Sequence, residues 1–297
     1  MGNPYRVLTD ADVEQFFNRG FVYLPGAVSP DIIAAYTEKV WERLGYDPQN
    51  PDTWEKHWVP LLTENSRPVQ EISPVAYDAI CDLCGEDRIR SAWWGDGLIV
   101  NLGRAEDAEL WEPPTAAAPG WHTDGDFFRH FLDSPEQGLL TIVLWSDVYP
   151  KNGATFVAGD SVPHVARYFA EHPEGMLPNE LGTKEHIQKC TDFFEATGKA
   201  GDVYLLHPFV IHASSRNATR RLRMITNPPV HLKEPMNFNR PNPDDFSLVE
   251  QAILRGLGVE RYDFVPTAPR ERIETPRDRR KREVEAAKAE AAKMAMV

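Results

Sequence analysis

The chain has 297 residues, 42% of them hydrophobic, and a formal net charge of −13 from 32 basic against 45 acidic side chains. That length and apolar content suit one large domain, and the acidic balance argues against a general nucleic-acid or anionic-membrane binder, because counterion release rewards basic surfaces. No run approaches the roughly 18 apolar residues of a bilayer span. The opening MGNPYRVLTD lacks the apolar core of a signal peptide and the closing KMAMV matches no organelle address, so a soluble, cytoplasmic protein is expected.

In chain order, LTDADVEQFFNRG predicts a helix capped by Thr9 and stopped at Gly20, with Val13, Phe16 and Phe17 at helical spacing. FVYLPGAV reads as a short strand, and SPDIIAAYTEKVWERLG as a second helix opened by Ser29 and Pro30. Residues 46–72, bearing Pro, Trp and Asn, read as a covering loop. Cys81 and Cys84 form a CxxC near the end of a helix that Gly85 should stop. With only Cys190 besides, neither a zinc knuckle nor a disulfide framework is available, and the thiols are read as structural.

From about residue 95 the texture changes. GLIVNLG, GLLTIVLWSDV, ATFVAG, GDVYLLH, FVIHAS and RLRMITNPPV are short runs of β-formers punctuated by Gly, Pro, Asn and Asp, with helical material between 163 and 196. Many short strands argue for a sandwich or jelly roll over a parallel βαβ sheet. The segment from 268 to 297 is charged and rich in Ala, Glu and Lys, which predicts a helical or frayed, solvated tail.

The stretch WHTDGDFFRH, residues 121–130, holds the densest chemistry. On a strand, His122 and Asp124 point the same way, supplying two of the three ligands of a 2-His-1-carboxylate iron site. Asp126 is a rival carboxylate, while Arg129 and His130 belong to a pocket mouth or a salt bridge. Downstream, GDVYLLHPFVIHASSRNATRRLR offers His207 and His212, whose odd separation places at most one of them towards an ion. Arg220, Arg221 and Arg223 follow, and a guanidinium returning beside the histidine would anchor a dicarboxylate through a bidentate fork. Phe127 and Phe128 suggest a partly apolar substrate pocket. Trp93, Trp94 and Trp121 are read mainly as core rings, and His57, His164, His172, His186 and His231 as surface or core residues.

These segments, together with NGATFVAGDS, resemble the phytanoyl-CoA dioxygenase family over about residues 8–232. The resemblance implies a mainly β fold with flanking helices (α+β) and a double-stranded β-helix core of jelly-roll, cupin-like form. It implies Fe(II) held by His122, Asp124 and His212, and His207 as a neighbour that is not a ligand. It also implies 2-oxoglutarate anchored by Arg223 with help from Ser214, and Trp145 lining the co-substrate pocket. Asp124 and His212 lie 88 residues apart, as the family leads one to expect. Thr123 replaces a common glutamine, and Arg67 is only a loose equivalent of a basic residue that some members use for the keto acid. Asp124 stands where halogenating relatives carry a small residue, which favours hydroxylation or a related oxidation.

The implied activity is an O2- and 2-oxoglutarate-dependent oxidation, most simply hydroxylation, of a C–H bond in a small, partly apolar molecule, releasing succinate and CO2, with ascorbate as a supporting reductant. Nothing in the sequence supports CoA as a handle. Two other readings stay open: a non-catalytic metal- or 2-oxoglutarate-binding sensor or scaffold, and a cupin-like metalloenzyme without a keto acid. The layout expected is one oxygenase domain over 1–267, in which residues 1–94 are helical, 95–232 form the β core and 233–267 are helix and loop, followed by the tail 268–297.

Overall fold

The computed structural model describes residues 5–275, 278–280 and 282–286. Helix α1 (Asp10–Arg19) carries the expected Thr9 cap in a reciprocal capping box, and Gly20, at φ 69°, closes it in the left-handed conformation. Strand β1 (Phe21–Leu24) follows. The single helix expected next is two, α2 (Pro30–Thr37) and α3 (Val40–Leu44). Lys39 leaves helical geometry at φ −97° and ψ 11°, and Thr37 turns its hydroxyl back onto the Ile33 carbonyl.

The segment expected as a covering loop instead contributes β2 (Trp58–Pro60), β3 (Ser66–Pro68) and α4 (Val69–Ile72). Helix α5 (Pro74–Cys84) ends at Gly85, and Cys81, Cys84 and Cys190 are buried free thiols. Burial pushes all three thiol pKa values up, which keeps them inert and fits packing roles. Then come β4 (Ile89–Gly95), β5 (Ile99–Asn101), α6 (Asp107–Leu110), β6 (Leu139–Leu144), β7 (Thr155–Ala158), α7 (Val162–Glu171), α8 (Thr183–Ile187), β8 (Phe193–Ala196), β9 (Val203–Leu206), β10 (Ile211–Ser214), β11 (Arg223–Thr226), β12 (Pro229–Leu232) and α9 (Leu248–Leu257).

Two antiparallel sheets face each other as a jelly roll. β11 and β12 pair with β6 in one continuous register, Ile225 opposite Leu144 and Pro229 opposite Leu140, so they are one long strand interrupted at Asn227-Pro228. Pro228 has no N–H to give the ladder, yet its carbonyl still accepts from Thr141 at 3.1 Å. β4 and β5 line the far side of that strand, with β3 and β2 outside them, while β9 and β1 extend the sheet beyond β6. The minor sheet runs β10-β7-β8. Phe21 meets Phe194 across the gap at 4.8 Å between ring centres.

Alternation divides the major sheet into two faces. The outer one carries Trp94, which donates to Thr141 at 3.0 Å, and Trp145, which donates to Thr226 at 2.9 Å and stacks on Tyr36 of α2 at 5.0 Å. The inner one carries Arg223, Ile225, Asn227, Pro229 and His231, and it looks towards the minor sheet. Helix α9 closes the rear, packed on α1, α5 and α7. Its buried Glu250 accepts from Arg88 at 2.7 Å and from Arg240 at 2.9 Å, and those hydrogen bonds hold its carboxyl ionised against the cost of burial. Among the described residues no helix is long and apolar enough to cross a membrane.

After α9 the chain returns across the molecule as an extended strap. Thr267 donates to the Pro173 carbonyl at 2.8 Å, and Arg270 pairs with Asp133 at 2.6 Å while lying over the Phe131 ring. Arg129 N–H donates to the Glu271 carbonyl at 3.0 Å and Ile273 N–H to the Phe127 carbonyl at 2.8 Å. A side-chain ion pair, Arg129 to Glu271 at 2.8 Å, completes the clip. Of the segment expected as a solvated tail, residues 268–275 thus lie against the loop that follows Asp124. Residues 278–280 and 282–286 are helical, and 287–297 fall outside the described residues.

Candidate metal centre

The stretch WHTDGDFFRH is not the strand expected of it. It is irregular, and a single bridge attaches it to the minor sheet, His122 and His212 exchanging both backbone hydrogen bonds at 2.9 Å. That reciprocal pair, more than strand alternation, brings the two imidazoles together, with ring centres 4.4 Å apart. Gly125 then reverses the chain at φ 115°. A Cβ there would stand 2.6 Å from both His130 and Phe128, so the turn behind Asp124 requires glycine.

His122 Nε2 lies 3.3 Å from Asp124 Oδ1, and His212 Nε2 lies 3.5 Å from the same oxygen. One ligand atom from each of the three falls within 4.8 Å of the others. Donors about 2.1 Å from an ion and at right angles stand about 3 Å apart, and the two imidazole–carboxylate spacings come close to that. His122 Nδ1 hydrogen bonds to the Gly120 carbonyl at 2.8 Å and His212 Nδ1 to the Val210 carbonyl at 3.1 Å. These bonds commit both Nδ1 atoms as donors and leave both Nε2 lone pairs facing inward. His212 Nε2 is buried with no hydrogen bond. Burial opposes charge on Asp124, yet the neighbouring imidazoles hold its carboxyl well below the usual carboxylate range. Burial likewise opposes protonation of His122, but the Asp124 carboxylate outweighs it and raises that pKa.

Asn227 was not legible in the sequence as a site residue. Its amide donates to Asp124 Oδ2 at 2.7 Å, fixing the oxygen that faces away from His122. The break in the long strand at Asn227-Pro228 places it there. Asp126, the rival carboxylate, is exposed and outside the cluster.

Arg223 is 2% exposed and points from β11 into the space between the sheets. Its Nη2 donates to Thr155 at 3.1 Å, its Nε has no partner, and among the described residues no carboxylate pairs with it. Burial lowers its pKa to about 9, which still leaves it charged at neutral pH. Thr155 sits directly across from Ser214 on β10, so Ser214 is brought to the same place. Ser214 and His212 are two residues apart on one face of β10, so that face runs from the buried imidazole of the cluster towards Thr155 and Arg223. Thr155 itself was missed; only the inward parity of ATFVAG could have found it.

One expectation is corrected. Trp145 belongs to the helix-covered face of the sheet, the side opposite Arg223, because its indole is committed to Thr226 and Tyr36. Arg67 pairs across strands with Trp94 and lies on that same outer face. Phe127 and Phe128 also divide: Phe128 is buried and stacks on His130 at 4.2 Å, whereas Phe127 is half-buried and turns its ring towards His231 at 6.3 Å.

His207 is kept from the triad by its own contacts. It packs on Phe16 and Phe209, its Nε2 faces the Val249 carbonyl at 3.3 Å, and its Nδ1 accepts from Phe209 N–H at 3.1 Å. Burial drops its pKa to about 3. The unfolded chain therefore binds one more proton than the fold between about pH 6.5 and 3, and stability falls as pH drops through that window, by up to ~1.4 kcal/mol per unit. His130, lowered to about 4 by burial, adds a slope of the same sign. His207→Gln should flatten some of the loss between pH 7 and 5, read from urea midpoints at the two pH values. An unchanged slope would contradict it.

Comparison with solved structures finds distant likenesses. The non-heme alpha-ketoglutarate-dependent carbocyclase SnoK from nogalamycin biosynthesis is 14% identical, with 78% of this chain and 87% of that chain covered and a TM-score of 0.42. HygX from Streptomyces hygroscopicus, with nickel, 2-oxoglutarate and hygromycin B bound, is 16% identical over 74% of this chain and 86% of its own, at a TM-score of 0.40. The non-heme alpha-ketoglutarate-dependent epimerase SnoN, also from nogalamycin biosynthesis, is 15% identical over 73% and 80%, at 0.40. Likenesses at these scores decide nothing about this chain's chemistry. No curated protein matches the chain significantly in sequence. The family model for phytanoyl-CoA dioxygenase (PhyH) matches residues 16–225, a span that holds the triad, Arg223 and both sheets' central strands, and the chain belongs to that family.

Proposed function

We propose that this protein is an Fe(II)- and 2-oxoglutarate-dependent oxygenase that hydroxylates a C–H bond of a small organic molecule. The observation that carries the reading is the pairing of an inward-facing His122-Asp124-His212 cluster with a buried guanidinium that no carboxylate among the described residues pairs with. A buried charge is strongly unfavourable unless something pairs with it, and Arg223 stands where the far carboxylate of a keto diacid would supply that pairing. His122, Asp124 and His212 would hold ferrous iron and Arg223 the far carboxylate of 2-oxoglutarate, and together the two groups would supply O2 activation with succinate and CO2 as by-products.

The chain's own groups do the rest. Gly120 and Val210 carbonyls hold the imidazole tautomers, Asn227 orients Asp124, and Thr155 steers the guanidinium. His122 is the exposed member of the triad and His212 the buried one, so the cluster opens on the His122 side, where substrate would approach.

Purified protein given Fe(II), ascorbate and 2-oxoglutarate should form succinate in an O2-dependent manner, and metabolite mixtures should show a mass gain of one oxygen. Iron and 2-oxoglutarate binding without succinate would favour the sensor or scaffold reading instead. Asn227→Ala should weaken iron binding by about 10–100-fold, the usual cost of removing a partner of a ligand. A metal titration followed through a competing chelator measures it, and unaltered affinity would remove Asn227 from the site.

A further inference from the structure

We propose that the inner face of the major sheet beside the triad seats the substrate, and that Trp93, Phe127 and His231 together grip a neutral, ring-bearing molecule. This rests on the oxygenase reading and deepens it. On β4, Ala92 and Trp94 are buried towards the helices, so Trp93 between them faces the interior. It is 50% exposed, although the face it occupies is the one that carries Asn227 and Arg223. Half of that indole is therefore open on the face that also carries Asn227 and Arg223, free for a ligand to pack against.

Register places the partners. Ser91 lies opposite His231 on β12 and Ala92 opposite Val230, so His231 and Pro229 share the face of Trp93. Phe127 approaches from the other side, its ring edge-on to His231 at 6.3 Å and 75°, three residues after Asp124. The His231 ring is fixed by a 2.6 Å hydrogen bond from Nδ1 to the Glu136 carbonyl. Burial lowers its pKa, and the nearby Arg90 and Arg272 lower it further, so the imidazole stays neutral at physiological pH. Indole, phenyl, neutral imidazole and a proline ring make a wall of flat, uncharged faces, with the Arg90 and Arg272 guanidinium groups near its His231 end. Such a wall favours rings through stacking and edge-to-face contacts, and it gives a flexible chain little beyond buried area.

The test uses ligand-observed NMR on the full chain, with Zn(II) and 2-oxoglutarate present and, in parallel, without either. The probes are indole and 2-naphthol against 1-octanol. The expected result is that the ring probes bind at least about tenfold more tightly than octanol. Trp93→Ala should cost about tenfold in their affinity (~1.4 kcal/mol), and Trp93→Phe should retain most of it. Metal titration of Trp93→Ala should match the parent, which separates loss of the wall from loss of the fold. Equal binding of octanol, or ring binding unaffected by both Trp93→Ala and Phe127→Ala, overturns the proposal. Ring selectivity that survives in a chain that takes up no metal would uphold the wall and overturn the oxygenase reading.

Discussion

His212→Ala is expected to abolish measurable Fe(II) binding and with it O2-dependent succinate formation. In the proposed site His212 would supply one of three protein donors, and it is the buried one, so no bulk water replaces it without a pathway and a partner. Removing an outer-shell partner costs about 10–100-fold in metal affinity, and losing a direct ligand should exceed that upper figure. The backbone half of the His122–His212 bridge survives the substitution, so the fold should persist. Circular dichroism and the urea midpoint check the fold, and a chelator-competition titration checks the metal. Near-parental iron affinity in a folded His212→Ala variant would refute the triad.

Arg223→Leu should move two measurements in opposite directions. Without co-substrate the guanidinium is buried beside one hydroxyl and no carboxylate, so replacing it with a packed apolar side chain should raise the thermal midpoint of the free protein. With co-substrate the same change removes a charge-assisted hydrogen bond worth about 1.5–3 kcal/mol, and 2-oxoglutarate should bind roughly 10–150-fold more weakly. Iron binding should be spared, because Arg223 sits near Ser214, two residues along β10 from His212. A variant that loses stability while keeping co-substrate affinity would mean that Arg223 is a structural residue.

Much of this was legible in the order of residues alone. Thr9, Gly20, Ser29, Gly85 and the short β-rich runs act through local rules of capping, turn geometry and alternation, and those elements form where the rules place them. His122 and Asp124 stood out as a same-face pair, the family resemblance chose His212 over His207 and Arg223 over Arg220 and Arg221, and the structure brings His122, Asp124 and His212 together. What escaped depends on non-local pairing. Asn227 looks like a turn residue until the shared register of β11 and β12 shows one strand with an inward break. Trp145, which the resemblance had put at the co-substrate, lies on the outer face, and Trp93 on the inner one, because no single strand announces which of its two faces is inner. The assumption that WHTDGDFFRH is a strand put His122 and Asp124 side by side, whereas the structure does so through the His122–His212 bridge and the turn at Gly125.

The strap ties the order of synthesis to the completion of the site. Arg129 and Glu271 are 142 positions apart, and the loop that carries Phe127 owes its outer backbone partners to residues 271–273. A nascent chain can lay down both sheets and align the triad's backbone while that loop still waits for its counterpart. Residues 271–273 are made after every strand of both sheets, so during synthesis order in the Phe127 loop should lag behind the appearance of β structure. Nascent chains stalled before the strap should then show β structure with a protease-sensitive Phe127 loop, which the full chain should protect.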